Sequence, residues 1–154
     1  MNTPRDLAAL LCSGQLRVAT GLWLLPNGFL GHEPDEAHRL DFEPVDLRQR
    51  LLESLEPGTK YAGITADRLV ILIDEISQER CDWPGALVYN LDLLLARLNS
   101  TDRELVWNDL LIALPRRTRA ILLAMPETSV QLLPTKEKLD LWRNDNRLYG
   151  SIKE

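Results

Sequence analysis

The sequence predicts an α/β fold, a single three-layer domain with a mostly parallel sheet and helices on both faces, and three observations carry that prediction. Short apolar runs bounded by Pro, Gly or charged residues alternate with stretches of helical periodicity along the chain. The runs at Leu16–Pro26, Ala86–Tyr89 and Arg119–Met125 are nearly continuous in apolar character, as strands covered on both faces require. Threonines that can cap helices stand ahead of periodic stretches at Thr3, Thr65, Thr101 and Thr135. A mainly α-helical bundle is the alternative, because two of the apolar runs also satisfy a helical period.

Taken in order, Thr3 and Pro4 open a short helix that ends near Gly14. Leu16–Pro26 follows as a buried strand stopped by Pro26-Asn27-Gly28, and 27–37 reads as a loop rich in Gly, Pro and acids. His38–Glu43 alternates Leu40 and Phe42 with polar neighbours, which predicts a short strand. Pro44 then opens a helix through Leu55, closed by Pro57-Gly58. Leu69, Leu72, Ile73 and Ile76 predict a helix over 66–78, although Leu69–Ile73 (LVILI) also suits a strand. Ala86–Tyr89 reads as a strand handing over at Asn90 to a helix over 91–98, with a single helix over 85–98 as the competing reading. Thr101 with Glu104 has the spacing of a capping box for a helix that stops at Pro115. Arg119–Met125 is a buried strand, Thr135 caps a last helix to Asn144, and Arg147–Ile152 closes the sheet.

At 154 residues, 45% hydrophobic and 27% charged, the chain fits one globular domain over 1–154. No run approaches the 18 apolar residues of a membrane helix, and no basic segment followed by a long apolar run opens the chain, so no membrane contact and a cytoplasmic location are expected. Cys12 and Cys81 share no metal-ligand spacing and read as two reduced thiols. The net charge of −5 disfavours a dedicated nucleic-acid binder. Most of the excess lies between Gly31 and Lys60, where eight acids face four bases.

A phosphate-binding ATPase core needs a strand, a glycine-rich loop ending in Gly-Lys-Ser/Thr, and a later apolar strand ending in an acid. After the first strand this chain has Leu25-Pro26-Asn27-Gly28-Phe29-Leu30-Gly31, with no lysine and no hydroxyl residue where they are needed. Leu69–Glu75 and Ala86–Asp92 imitate the acid-bearing strand, the second with asparagine in the acid's place. From Leu16 to Ile152 the order of elements, anchored at Ala86–Asp92, Arg119–Pro126 and Arg147-Leu148-Tyr149, resembles the small P-loop ATPase-like subunits of bacterial anti-phage systems of the bacteriophage-exclusion type. With the phosphate loop missing, the resemblance implies a degenerate, non-hydrolysing relative that serves as a partner. No catalytic residue follows from it.

Other chemistry finds little footing. His32-Glu33-Pro34-Asp35-Glu36-Ala37-His38 lacks the four-residue histidine spacing of a zinc helix and reads as a solvated acidic loop. There is no Gly-x-Ser-x-Gly, and both histidines lie in that loop. No catalytic residue, metal or cofactor is therefore expected. Candidate binding residues fall into three groups. Asp35, Glu36 and Asp41 suit an acidic inhibitor or immunity-type surface. Arg103, Arg116, Arg117 and Arg119 suit a phosphate backbone or an acidic partner, and Trp142 is a residue type enriched at interface hot spots, though Trp is more often core or rim. A protein partner is expected first, and nucleic acid through the arginine cluster second.

Overall fold

In the computed structural model, residues 2–55, 63–112 and 118–153 are described. The chain begins with a reciprocal cap: the Thr3 hydroxyl accepts the Asp6 N–H at 3.2 Å, while the Asp6 carboxylate accepts the Thr3 N–H at 3.1 Å. Helix α1 (Pro4–Cys12) follows and stops at Ser13, before Gly14 takes a positive φ. Strand β1 (Thr20–Leu25) is buried at every position.

Next come helix α2 (Glu33–Arg39), strand β2 (Glu43–Asp46), helix α3 (Leu47–Ser54) and helix α4 (Ala66–Gln78). Strand β3 (Gly85–Tyr89), helix α5 (Leu91–Leu95) and helix α6 (Ser100–Ile112) lead to strand β4 (Ala120–Pro126). Helix α7 (Lys136–Asn144) and the two-residue strand β5 (Leu148–Tyr149) complete the order.

Among the described residues five strands form one sheet in the order β2-β3-β4-β1-β5, and every pairing is parallel. Leu22 stands opposite both Leu123 and Leu148, so β1 is an interior strand although it is first in the chain. Side chains alternate across the sheet. Trp23, Leu25, Leu87 and Leu122 face α1, α2 and Phe42 on one side. Leu22, Leu24, Val88, Ile121 and Leu123 join residues of α3 to α7 in the larger cluster on the other. Two-sided burial explains why the central strands read as continuous apolar runs.

The bundle alternative fails against this sheet, and several local expectations are corrected. The segment read as a loop over 27–37 and a strand over 38–43 contains helix α2. Pro34 at one of its first two positions is preorganised for a helix, Glu33, Asp35 and Glu36 suit its N-terminal turn, and His38 and Arg39 suit its last. The strand lies further on, at Glu43–Asp46, and carries Pro44 on a sheet edge, where a missing N–H is tolerated. Asp46 then caps α3 by accepting the Gln49 N–H.

The stretch 66–78 is helix throughout, capped by Thr65, with Ile71 turned half outward. A single helix over 85–98 does not form, because Asn90 at φ 64° separates β3 from α5. Helix α6 starts at Ser100, one residue before the expected Thr101 cap, and it is Asn99 Oδ1 that accepts the Asp102 N–H at 2.8 Å. The expected stop at Pro115 lies outside the described residues.

Candidate functional site

The connections create one crevice. From the C-terminal end of β1 the chain enters α2, on the face of the smaller core cluster. From the C-terminal end of its neighbour β4 it proceeds to α7, on the opposite face. Adjacent strands that send their chains to opposite faces leave a gap between them, the place where open parallel sheets hold ligands.

The β1–α2 turn passes over this gap as a strand–loop–helix unit, the frame on which phosphate loops are built. Spaced against the motif Gly-x-x-x-x-Gly-Lys-Ser/Thr, it places Pro26, Gly31, His32 and Glu33 where Gly, Gly, Lys and Ser/Thr would stand. Gly31 alone matches, at φ 85°. The coincidence is hidden in a sequence whose residues 27–37 read as loop; Pro34 as a helix opener is the signal that exposes it.

Glu33 decides the chemistry. Its side chain is buried and folds back so that its carboxylate accepts the Gly31 N–H at 2.5 Å. A backbone donor able to meet an anion is thus already engaged by the chain's own anion. Tyr89 at the end of β3, Asn90 and Asp92 at the start of α5, and Pro126 at the end of β4 complete a cavity of about 160 Å³. That is well under the roughly 300 Å³ at which small-molecule sites begin.

The field inside is negative. Burial holds the Asp92 carboxyl above its ordinary range, and the Glu33 charge adds to the rise. Burial raises the Tyr89 phenol as well, reinforced by Asp46 and Glu33. A triphosphate entering here would meet acids and no described cation in the lining.

A larger groove of about 910 Å³ adjoins the same loop, at the β5 side of β1. Trp23, Phe29 and Tyr149 line it, with Glu36, Glu127 and Arg143 among its polar groups. Trp23 is buried and meets the Phe29 ring edge-on, centroids 6.1 Å apart. Gly150 permits the wall: at φ 100° it lies so close to β1 that a Cβ would come within 2.8 Å of the Leu24 carbonyl oxygen.

Among the described residues, the predicted binding residues are not brought together. Asp35 and Asp41 are exposed, Asp41 in a left-handed backbone conformation, whereas Glu36 is 9% exposed and pairs with Arg39 at 2.8 Å. Arg103 is half-buried and donates to the Leu98 carbonyl at 2.5 Å. Arg116 and Arg117 lie outside the described residues.

Arg119 points inward at 4% exposure. Its guanidinium donates to the Ile76 carbonyl at 2.9 Å and to Glu79 at 3.0 Å, and lies 2.8 Å from Glu43. Trp142 is fully buried, edge-on to Trp107 with centroids 6.3 Å apart and with the Arg147 guanidinium 4.6 Å from its ring centre. Both are framework residues.

The sequence places Arg147 at the start of a sheet-closing segment and among the anchors of the resemblance, and assigns its side chain no role. Its guanidinium donates to the carbonyls of Thr20, Leu110 and Leu111, which ties the start of β1 to the end of α6. His38, weighed as a metal ligand, stacks on Trp83 with ring centres 5.8 Å apart. Among the described residues no group of three His, Cys, Asp or Glu side chains is placed to hold a metal ion, and no helix is long and apolar enough to cross a membrane. No protein-family model, curated protein or solved structure matches the chain.

Proposed function

We propose that this chain is a non-catalytic protein-binding subunit of a bacterial multi-component complex, with anti-phage defence as the setting that the resemblance in element order implies. The observation that carries the proposal is the engagement of the Gly31 N–H by the buried Glu33 carboxylate at the mouth of the β1/β4 crevice. A phosphate site needs converging backbone donors and a cation. Here a donor is taken, histidine and glutamate replace lysine and hydroxyl, and Asp92 adds a second acid. What the scaffold retains is shape and surface.

A protein partner fits that remainder better than a small substrate. The crevice is too small and too acidic for a nucleotide, whereas the adjoining groove is roomy and lined by aromatic side chains of the kind that anchor protein interfaces. The test is co-purification of the tagged full chain from its native operon. A stable complex with at least one neighbouring gene product is the expected result. Elution as a lone monomer in the presence of every neighbouring product would contradict the proposal.

A further inference from the structure

We infer that the groove between the β1–α2 loop and β5 receives an arginine-bearing segment of the partner protein; the inference rests on the protein-binding reading above and names the chemistry of what binds. The groove's volume of about 910 Å³ lies near the upper end for ligand sites and holds several residues of a chain, not a lone side chain. Pro4, Pro26, Phe29 and Tyr149 line it and are all at least partly exposed, so apolar flanks of a segment find apolar partners.

Charge selects what sits between those flanks. Glu36 and Glu127 lie in the lining with Arg143 as the one cation among the described lining residues, and Arg143 is already drawn to Asp140 at 3.5 Å and to the Gly150 carbonyl at 3.4 Å. Glu33 and Asp92 stand in the smaller cavity beside the same β1–α2 loop. An aromatic lining beside carboxylates is the setting in which a planar guanidinium both stacks and pairs, a combination open to neither a neutral nor an acidic side chain. Glu36 keeps one oxygen on Arg39, so Glu127 is the principal acceptor.

The experiment is an amide-resonance titration of the full chain with acetyl-Leu-Arg-Leu-amide, its citrulline counterpart and its glutamate counterpart, at low salt. The arginine peptide should shift Phe29, Tyr149 and Gly150 saturably and bind about five-fold more tightly than the citrulline peptide, the order of one partly exposed ion pair with a stacking contribution. The variant E127Q should remove most of that difference, and R143E should enlarge it. Both substitutions sit on accessible side chains, and unchanged spectra away from the groove report that the fold is kept.

Equal or tighter binding of the citrulline or glutamate peptide, or no groove shifts with any of the three, would overturn the inference. A parallel titration with magnesium and ATP separates the two readings. Shifts at Gly31 and Asp92 would count against the non-catalytic reading, while silence there with no arginine response would remove the groove assignment alone.

Discussion

Replacing Arg119 by alanine separates a framework role from a surface role more sharply than any other substitution. The side chain is 2% exposed and its guanidinium holds three groups at once: the Ile76 carbonyl in the last turn of α4, Glu79 just beyond it, and Glu43 at the start of β2. The two carboxylates are about a third exposed, at 27% and 35%, so water takes over much of their solvation when the arginine is gone. Arg50 also remains beside both.

The cost is therefore concentrated in the charge-assisted bond to Ile76, worth ~1.5–3 kcal/mol, and in the lost packing of a buried stem. About 3 kcal/mol in total is expected, at the lower end for breaking a buried ion pair. In a domain of this size that lowers the melting temperature by about 6–12 °C. R119K keeps the charge without the fork and should lose roughly half as much.

Thermal and urea unfolding followed by circular dichroism give the stability change, and anisotropy of a labelled DNA duplex at low salt gives any loss of nucleic-acid affinity. A melting temperature within about 1 °C of the wild type in R119A, with DNA affinity reduced, would refute the framework assignment.

Further outcomes follow from close approaches and from charge. A Cβ on Gly85 would lie 2.6 Å from the Phe42 ring, which is 1% exposed and has nowhere to move, so G85A should cost about 1–3 kcal/mol in urea unfolding. G21A meets the flexible ends of Leu11 at 2.8 Å and Leu7 at 3.3 Å and should cost less; the reverse ranking would contradict the packing described. The Arg50 hydrogen bond, with Arg50 and Arg119 charges behind it, holds the Glu79 carboxyl below its ordinary range. Its stabilisation is thus present above the unfolded carboxylate value of about 4.3 and is lost as pH falls through the lower folded value. The stability gap between wild type and E79Q should be flat from pH 6 to 8 and should close in acid, below about pH 4. Asp92 has the opposite sign, since burial penalises its ionised form. D92N should be more stable than wild type at pH 7, with the gain disappearing as pH approaches the unfolded aspartate value of about 3.9.

Much of the scaffold was legible because continuous apolar runs and threonine caps are local signals. β1, β3, β4, α1, α4 and α7 rest on them, and two-sided burial in a parallel sheet produces such runs. The region 27–46 was not legible in the same way. Pro34 reads as part of a loop and Pro44 as a helix opener, and only the neighbouring charges and the sheet edge make the first a helix opener and the second an edge-strand residue.

The candidate site divides similarly. The absence of the phosphate-loop lysine is visible in the letters, but the return of Glu33 onto the Gly31 N–H depends on a backbone turn that composition does not encode. Arg119 illustrates the opposite error. Within a run of arginines it resembles surface charge, and only the convergence of Ile76, Glu43 and Glu79 from distant parts of the chain draws it inside.

The β1/β4 crevice has its own carboxylate where a phosphate-binding scaffold would keep an open cradle. Calorimetric titration of the full chain with ATP and magnesium tests it most directly. The prediction is no saturable heat for ligand up to about 1 mM, a threshold of roughly 4 kcal/mol in binding free energy. Saturable binding tighter than that, accompanied by shifts of the Gly31 and Glu33 amides, would contradict it.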